Sequence, residues 1–265
     1  EVNNIMSYQL INPTRSKLEK NELTLGVGLV QSRTVDIASM MSTVGFDWLF
    51  IDLEHGALSS ETACQISIAA LQSNITPIVR IPINGYSMVS RILDGGAMGI
   101  VLPHVESPEE AQKLVDIAKF SPDGHRGVGG AIAQFQYQDV KLPEAVKELN
   151  RSMLLVAMVE TPEAIDRIDE IASVEGIDIV MIGTNDLAMS LGCPQDFGNK
   201  KVVSCYEKVA LSCEKHGKWL GSGGVKIPEV AKQYINMGAN FFLAGQDIGF
   251  LMSAAKERVN VLKGI

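Results

Sequence analysis

From residue 24 onward the chain alternates short, continuous apolar runs with longer amphipathic stretches. The runs fall at residues 24–30, 48–52, 77–81, 99–103, 153–159, 177–183, 219–221 and 240–244. They are apolar throughout rather than at every second position, which is the pattern of strands buried on both faces. The stretches between them open with helix-start signals. Ser59-Ser60-Glu61, Ser107-Pro108-Glu109-Glu110 and Thr161-Pro162-Glu163 each put a capping hydroxyl before acidic residues, two of them with Pro in the first turn. Gly45, Gly176 and Gly238 follow periodic stretches, where a helix commonly ends on a left-handed residue.

Eight strands separated by helices predict a parallel sheet, and eight is the number that closes it. The expectation is an α/β fold, a single (β/α)8 TIM barrel over residues 1–265, with residues 1–23 a lead-in carrying a short helix at 15–21. An open doubly wound sheet is the competing arrangement, but Gly26-Val27-Gly28 does not extend into a dinucleotide fingerprint. The segment from Ser121 to about Val140 is the longest without periodicity and predicts a lid or a subunit contact.

Composition narrows the partners. The chain has 265 residues, 46% of them hydrophobic, and a net charge of −8 with no Lys/Arg run longer than two. That balance argues against nucleic acid or an anionic membrane, though a locally cationic site would still take a small anionic substrate. No apolar stretch approaches the roughly 20 residues of a membrane span, and no secretory leader is visible. Cys64, Cys193, Cys205 and Cys213 form no CxxC pair, which fits a reducing cytoplasm. Cys205 and Cys213, eight apart, read as two buried apolar groups on a helix.

A barrel carries its chemistry at the C-terminal ends of its strands. The second run ends Asp52-Leu53-Glu54-His55, the third at Arg80, the fifth at Glu160 and the sixth at Gly183-Thr184-Asn185-Asp186. Each has a plain structural explanation: Asp186 as a helix cap, Glu160 as a helix-dipole partner, Arg80 as an ion-pair partner, His55 as a surface residue. Their joint occurrence on one rim points to function, because charges at a barrel mouth need partners or a metal. Two carboxylates without a nearby His or Cys suit a hard cation, Mg²⁺ or Mn²⁺ with Co²⁺ a further candidate, leaving positions open for a bidentate 2-oxo acid. Such a cation would stabilise the enolate formed as the adjacent C–C bond breaks. Arg80 would add a second positive charge at the oxyanion, and His55 beside Asp52 would supply acid–base chemistry.

The segment Phe46-Asp47-Trp48-Leu49-Phe50-Ile51-Asp52-Leu53-Glu54-His55-Gly56 resembles the second-strand signature of the HpcH/HpaI aldolases, metal-dependent class II pyruvate aldolases. Pro77-Ile78-Val79-Arg80, Gly124-His125-Arg126-Gly127-Val128-Gly129, Val159-Glu160-Thr161 and Ile182-Gly183-Thr184-Asn185-Asp186-Leu187-Ala188 follow in the family's order. The resemblance implies a barrel of the phosphoenolpyruvate/pyruvate-domain type, a homo-oligomer (a hexamer or trimer of dimers) and a last helix exchanged between subunits. It implies that Glu160 and Asp186 hold the metal, that Arg80 contacts the keto oxygen, and that His55 and Asp52 form the acid–base pair. Backbone amides at Gly183, Thr184 and Asn185 would receive the substrate carboxylate.

Two positions depart from the family pattern: Met158 stands where relatives often carry Gln, and Thr184 where they carry Pro. Gly221-Ser222-Gly223-Gly224 and Gly245-Gln246-Asp247 follow the last two strands, where barrels bind phosphate or make a tight turn. His104 reads as a satisfied polar residue, His125 as a loop contact and His216 as a helix C-terminal dipole partner. The expected activity is reversible cleavage of 4-hydroxy-2-oxo acids to pyruvate and an aldehyde. The alternatives are a condensing enzyme that uses the pyruvate enolate on an acyl-CoA or pyrone, and a non-catalytic 2-oxo-acid-binding barrel.

Overall fold

The computed structural model describes residues 9–129 and 132–264. Eight strands, β1 (Thr24–Leu29), β2 (Trp48–Asp52), β3 (Thr76–Arg80), β4 (Gly99–Leu102), β5 (Leu154–Val159), β6 (Ile179–Gly183), β7 (Trp219–Gly223) and β8 (Ala239–Gln246), pair in parallel and in chain order. β8 returns to β1 and closes the barrel. Every residue of β2 through β5 is buried, so the continuous apolar runs have their cause: the strands have no solvent face.

The closed sheet has two apolar layers. Inside it lie Trp48, Phe50, Ile78, Val101, Leu154, Val156, Met158, Ile179, Met181 and Phe241. Trp48 stacks on Phe241 with ring centroids 3.8 Å apart, filling the barrel axis. Outside it, helix residues such as Ala63, Ile66 and Ala70 join the larger core between sheet and helices. The helix starts have the anticipated chemistry. Ser59, Ser107 and Thr161 accept from the backbone N–H of Thr62, Glu110 and Ala164 at 3.1, 3.3 and 3.2 Å. Cys213 is buried and Cys205 half-buried on the helix Lys200–His216, and the four cysteines are free.

β7 and β8 run further than apolar character indicates. Ser222 and Gly223 pair with Ile182 and Gly183 through backbone groups, which no hydropathy pattern reports. The lead-in helix is Pro13–Leu18, two residues earlier than periodicity places it, because Asn12 caps it and Pro13 occupies the first turn. It lies across the N-terminal end of the barrel. Arg15 pairs with Asp178 at 2.5 Å, Lys17 with Asp47 at 2.6 Å, and Thr14 Oγ1 donates to the Asp47 carbonyl at 3.1 Å. Leu18 is fully buried in the interior layer. Leu18 thus closes this end of the barrel interior, which opens at the C-terminal mouth.

The irregular segment after Ser121 connects the helix Pro108–Ala118 to the stretch before β5, an arrangement that returns chain to the N-terminal side. Arg126 pairs with Asp94 at 2.5 Å, and Gln134 donates to the carbonyls of Leu93 and Ala97. None of its described residues lines the mouth, so they form no lid over it. Residues 130 and 131 of this segment lie outside the described residues. The last helix, Asp247–Lys263, has no buried residue and exposes Phe250, Leu251, Met252, Val259, Val261 and Leu262. Among the described residues no helix is long and apolar enough to cross a membrane.

Candidate active site

The parallel register delivers the charged residues to one rim. β2 and β3 are aligned so that Asp52 and Arg80 are paired neighbours. Asp52 Oδ1 accepts from Arg80 Nε at 3.0 Å and Oδ2 from Nη2 at 2.5 Å, a two-pronged carboxylate–guanidinium pair. The remaining Arg80 nitrogen, Nη1, lies 3.3 Å from Glu54 Oε2, and the guanidinium sits over the Phe50 ring at 5.0 Å. Arg80 is thus fixed in direction before any ligand arrives.

Asp52 Oδ1 also accepts from the backbone N–H of Glu54 and His55 at 3.0 and 3.1 Å. Its carboxylate is therefore committed to Arg80 and to the turn. The His55 ring is 64% exposed, with Nε2 3.8 Å from Glu54. The expected ring contact between His55 and Asp52 is not formed, because the guanidinium and two amides already use the Asp52 oxygens.

Glu160 follows β5 and is almost wholly buried. Its Oε2 accepts from the backbone N–H of His104 at 3.0 Å and lies 3.1 Å from His104 Nδ1. The other ring nitrogen, Nε2, is 3.5 Å from Glu54 Oε1. His104 therefore bridges the carboxylates of Glu54 and Glu160, and its backbone adopts a left-handed φ of 52° to do so. Burial pushes the Glu160 carboxyl up to about 7, against the pull of His104 and Arg80, and Asp186 adds to the rise.

Gly183, Thr184, Asn185 and Asp186 end β6 and open the short helix Thr184–Ser190. Gly183, Thr184, Asn185, Asp186, Glu160 and Arg80 all line one open cavity at the mouth. Phe50, Met158, Met181 and Leu243 give it an apolar lining, and Lys226 and Gln246 are further polar members. Met158 is packed in the interior layer, so the family's usual amide is replaced here by apolar surface. The Thr184 hydroxyl does not face the cavity: it bonds Tyr206 Oη at 2.7 Å, which in turn bonds Ser222 Oγ at 2.7 Å. Asp247 accepts from the N–H groups of Val30, Gln31 and Ser32 and so holds the loop after β1. That leaves it no part in anion binding.

Two contributors were not legible as such. His104 stands at the end of β4, where the strand-end rule could have flagged it, but nothing in sequence tied it to Glu160, 56 residues away. Glu54 is adjacent to His55, and its role as the second carboxylate on Arg80 appears only when β2 and β3 are paired.

A barrel plugged at one end and lined at the other with fixed acidic and cationic groups defines a (β/α)8-barrel enzyme. The model of the HpcH/HpaI aldolase/citrate lyase family matches residues 28–254, and the chain belongs to that family. It is 36% identical to a 4-hydroxy-4-methyl-2-oxoglutarate aldolase of Hapsidospora irregularis, over 98% of this chain and 97% of the relative. It is 33% identical to the 2-keto-3-deoxy-L-rhamnonate aldolase of Escherichia coli K12, over 97% and 96%. The crystal structure of an HpcH/HpaI aldolase from Desulfitobacterium hafniense DCB-2 superimposes with a TM-score of 0.90, at 30% identity, covering 95% of this chain and 96% of that one. The chain is a carbon–carbon lyase of the aldolase kind, as the resemblance implied.

Proposed function

We propose that this aldolase cleaves 4-hydroxy-2-oxo acids, reversibly, to pyruvate and a carbonyl compound, with a divalent cation held by Glu160 and Asp186. The observation that carries this is that two carboxylates on neighbouring strand ends keep oxygens without a donor. Among the described residues no hydrogen-bond donor reaches Glu160 Oε1 or the Asp186 carboxylate, and both groups line one cavity. Glu160 is buried, so its ionised form needs a positive partner, while Asp186 is exposed and brings a second carboxylate to the same cavity. Among the described residues no three His, Cys, Asp or Glu side chains converge as a complete metal cage. Two carboxylates with open positions suit Mg²⁺ or Mn²⁺, which retain water or substrate oxygens, better than Zn²⁺. When bound, such a cation supplies Lewis acidity to the 2-oxo group.

The chain's own groups do the rest. The C4 hydroxyl gives up its proton, the C3–C4 bond breaks, and the electron pair moves toward the 2-oxo oxygen. Arg80, held by Asp52 and Glu54, donates to that oxygen as its charge grows, without reorganising at the moment of reaction. His55, at the rim beside Glu54, exchanges the proton between the hydroxyl and C3 by way of water. The amides of Gly183, Thr184 and Asn185 receive the substrate carboxylate. A retro-aldol assay coupled to pyruvate detection tests this directly: activity should vanish with chelator and return with Mn²⁺ or Mg²⁺. An unchanged rate with chelator present would remove the cation from the reading.

The apolar side chains exposed on Asp247–Lys263 favour a homo-oligomer in which this helix packs on another subunit, as a trimer of dimers. Light scattering should give a mass near six chains, and a monomer would exclude this assembly. The net charge and the free cysteines support a cytoplasmic enzyme that binds small molecules and neither nucleic acid nor membrane.

A further inference from the structure

Of the two carboxylates assigned above to the divalent cation, one is held by contacts of its own. Glu160 accepts from the His104 N–H and packs on Gly183. Asp186 is exposed and lines the same cavity, and among the described residues no hydrogen-bond donor and no ion pair reaches its carboxylate. Its place is therefore set by the backbone that carries it, the turn after β6 and the helix Thr184–Ser190. That backbone has little local support. The helix has seven residues, and Gly183, in the cap position, has no side chain with which to close its first turn.

What holds the turn lies behind it. Thr184 Oγ1 is 2.7 Å from Tyr206 Oη, and Tyr206 Oη is 2.7 Å from Ser222 Oγ. Ser222 belongs to β7 and is paired with Ile182 of β6, so one phenol hydroxyl joins the start of the helix to the neighbouring strand. The joint is rigid and dry. Thr184, Tyr206 and Ser222 are all fully buried, and the Tyr206 ring stacks on Tyr234 with centroids 3.5 Å apart. The Tyr234 hydroxyl donates in turn to the Phe197 carbonyl. Burial pushes the Tyr206 hydroxyl up to about 12, so it keeps its proton through the neutral range. With that one proton it donates to one neighbour and accepts from the other. A phenylalanine would do neither, and both neighbouring hydroxyls would be left enclosed with a bond unmade.

We infer that Tyr206 is a positioning residue for the cation site: by gripping Thr184 from behind, it fixes the turn that places the Asp186 carboxylate in the cavity. This rests on the reading of Glu160 and Asp186 as the cation's ligands and deepens it, since that reading gives no part to the residues behind the β6 turn. Tyr206 lies outside the cavity lining and touches neither carboxylate. It acts through Thr184, two positions before Asp186, and the bond that carries the effect is the one between the two hydroxyls.

Calorimetric titration of the full chain with Mn²⁺ tests this without turnover. Tyr206→Phe should weaken Mn²⁺ binding about tenfold, the lower end of what losing a ligand's support costs. Thr184→Val deletes the hydroxyl at the other end of the same bond and should weaken it equally. The double variant should be no weaker than either single one, because one bond is lost in all three. Thr184→Ser keeps a hydroxyl and should stay near the native affinity. A tyrosine with a structural role alone would lower the melting temperature in Tyr206→Phe and leave Mn²⁺ affinity in place, which overturns the inference. Effects that add in the double variant, or a Thr184→Ser as weak as Thr184→Val, overturn it as well. Should Tyr206→Phe fail to fold, the contrast between Thr184→Val and Thr184→Ser decides. Asp186→Ala separates this from the ligand assignment. If that variant binds Mn²⁺ as the native protein does, the assignment falls and the inference with it. Loss in Asp186→Ala beside native affinity in Tyr206→Phe removes the positioning role alone.

Discussion

Oε1 of Glu160 lies 2.2 Å from the point that a Cβ on Gly183 would occupy. The residue after β5 and the last residue of β6 are thus packed together, and the side chain proposed as a metal ligand rests on bare backbone. Gly183→Ala should push the carboxylate out of place without disturbing the sheet, since Gly183 has an ordinary negative φ. We expect Mn²⁺ affinity and kcat to fall about 10–100-fold, the usual cost of disturbing the support of a metal ligand. The melting temperature should stay close to native. Calorimetric Mn²⁺ titration and steady-state rates check it, and native affinity in the variant would deny the packing any role.

Glu160 gives the site a pH dependence. Its folded value of about 7 lies above that of an unfolded carboxylate, so the metal-free protein keeps a proton that the unfolded chain has lost. The stability this group contributes is full below the unfolded value, roughly pH 4, and declines as pH rises through 7. A cation must displace that proton. Mn²⁺ binding should therefore release close to one proton at about pH 6 and almost none at about pH 8.5, with affinity climbing between them. Calorimetry in buffers of different ionisation enthalpy measures this, and pH-independent proton release would contradict it.

The two histidines at the mouth should separate. His55→Ala should lower kcat while leaving metal affinity unchanged, because its ring contacts no proposed ligand. His104→Asn should weaken Mn²⁺ binding as well, since the ring nitrogen at 3.1 Å from Glu160 is lost while Asn tolerates the left-handed backbone. If both variants bind Mn²⁺ equally, His104 has no hold on Glu160.

Arg80→Met should abolish catalysis while the cation still binds, because the guanidinium acts on the charge that develops during bond breaking. It also strands Asp52 and Glu54. Breaking a buried pair from one side costs about 3–5 kcal/mol, so the melting temperature should fall clearly. An active Arg80→Met enzyme would refute the oxyanion role.

At the opposite end, Leu18→Ala empties part of the plug. A fully buried leucine should cost about 2–5 kcal/mol in stability. Rates at the mouth should be unaffected. Urea unfolding and kcat/KM measured together check both halves.

Much of this protein was determined by local sequence. Eight continuous apolar runs alternating with amphipathic stretches read as strands covered on both sides, and caps such as Ser107-Pro108 and Thr161-Pro162 mark several helix starts, so an eight-stranded barrel was the leading expectation over an open doubly wound sheet. The strand-end rule likewise located Asp52, Arg80, Glu160 and Asp186, because a polar residue ending an apolar run is visible without neighbours. What the tertiary structure decided is who holds whom. Asp52 lies only three positions before His55, yet its side chain pairs with Arg80, because strand register aligned the two and a guanidinium offers two donors where an imidazole offers one. The Thr184 hydroxyl turned inward to Tyr206, and His104 came to join Glu54 with Glu160, through contacts spanning 22 to 56 positions. Pairing across such distances depends on closure of the barrel, which sets the direction of every side chain at its mouth and is written in no single segment.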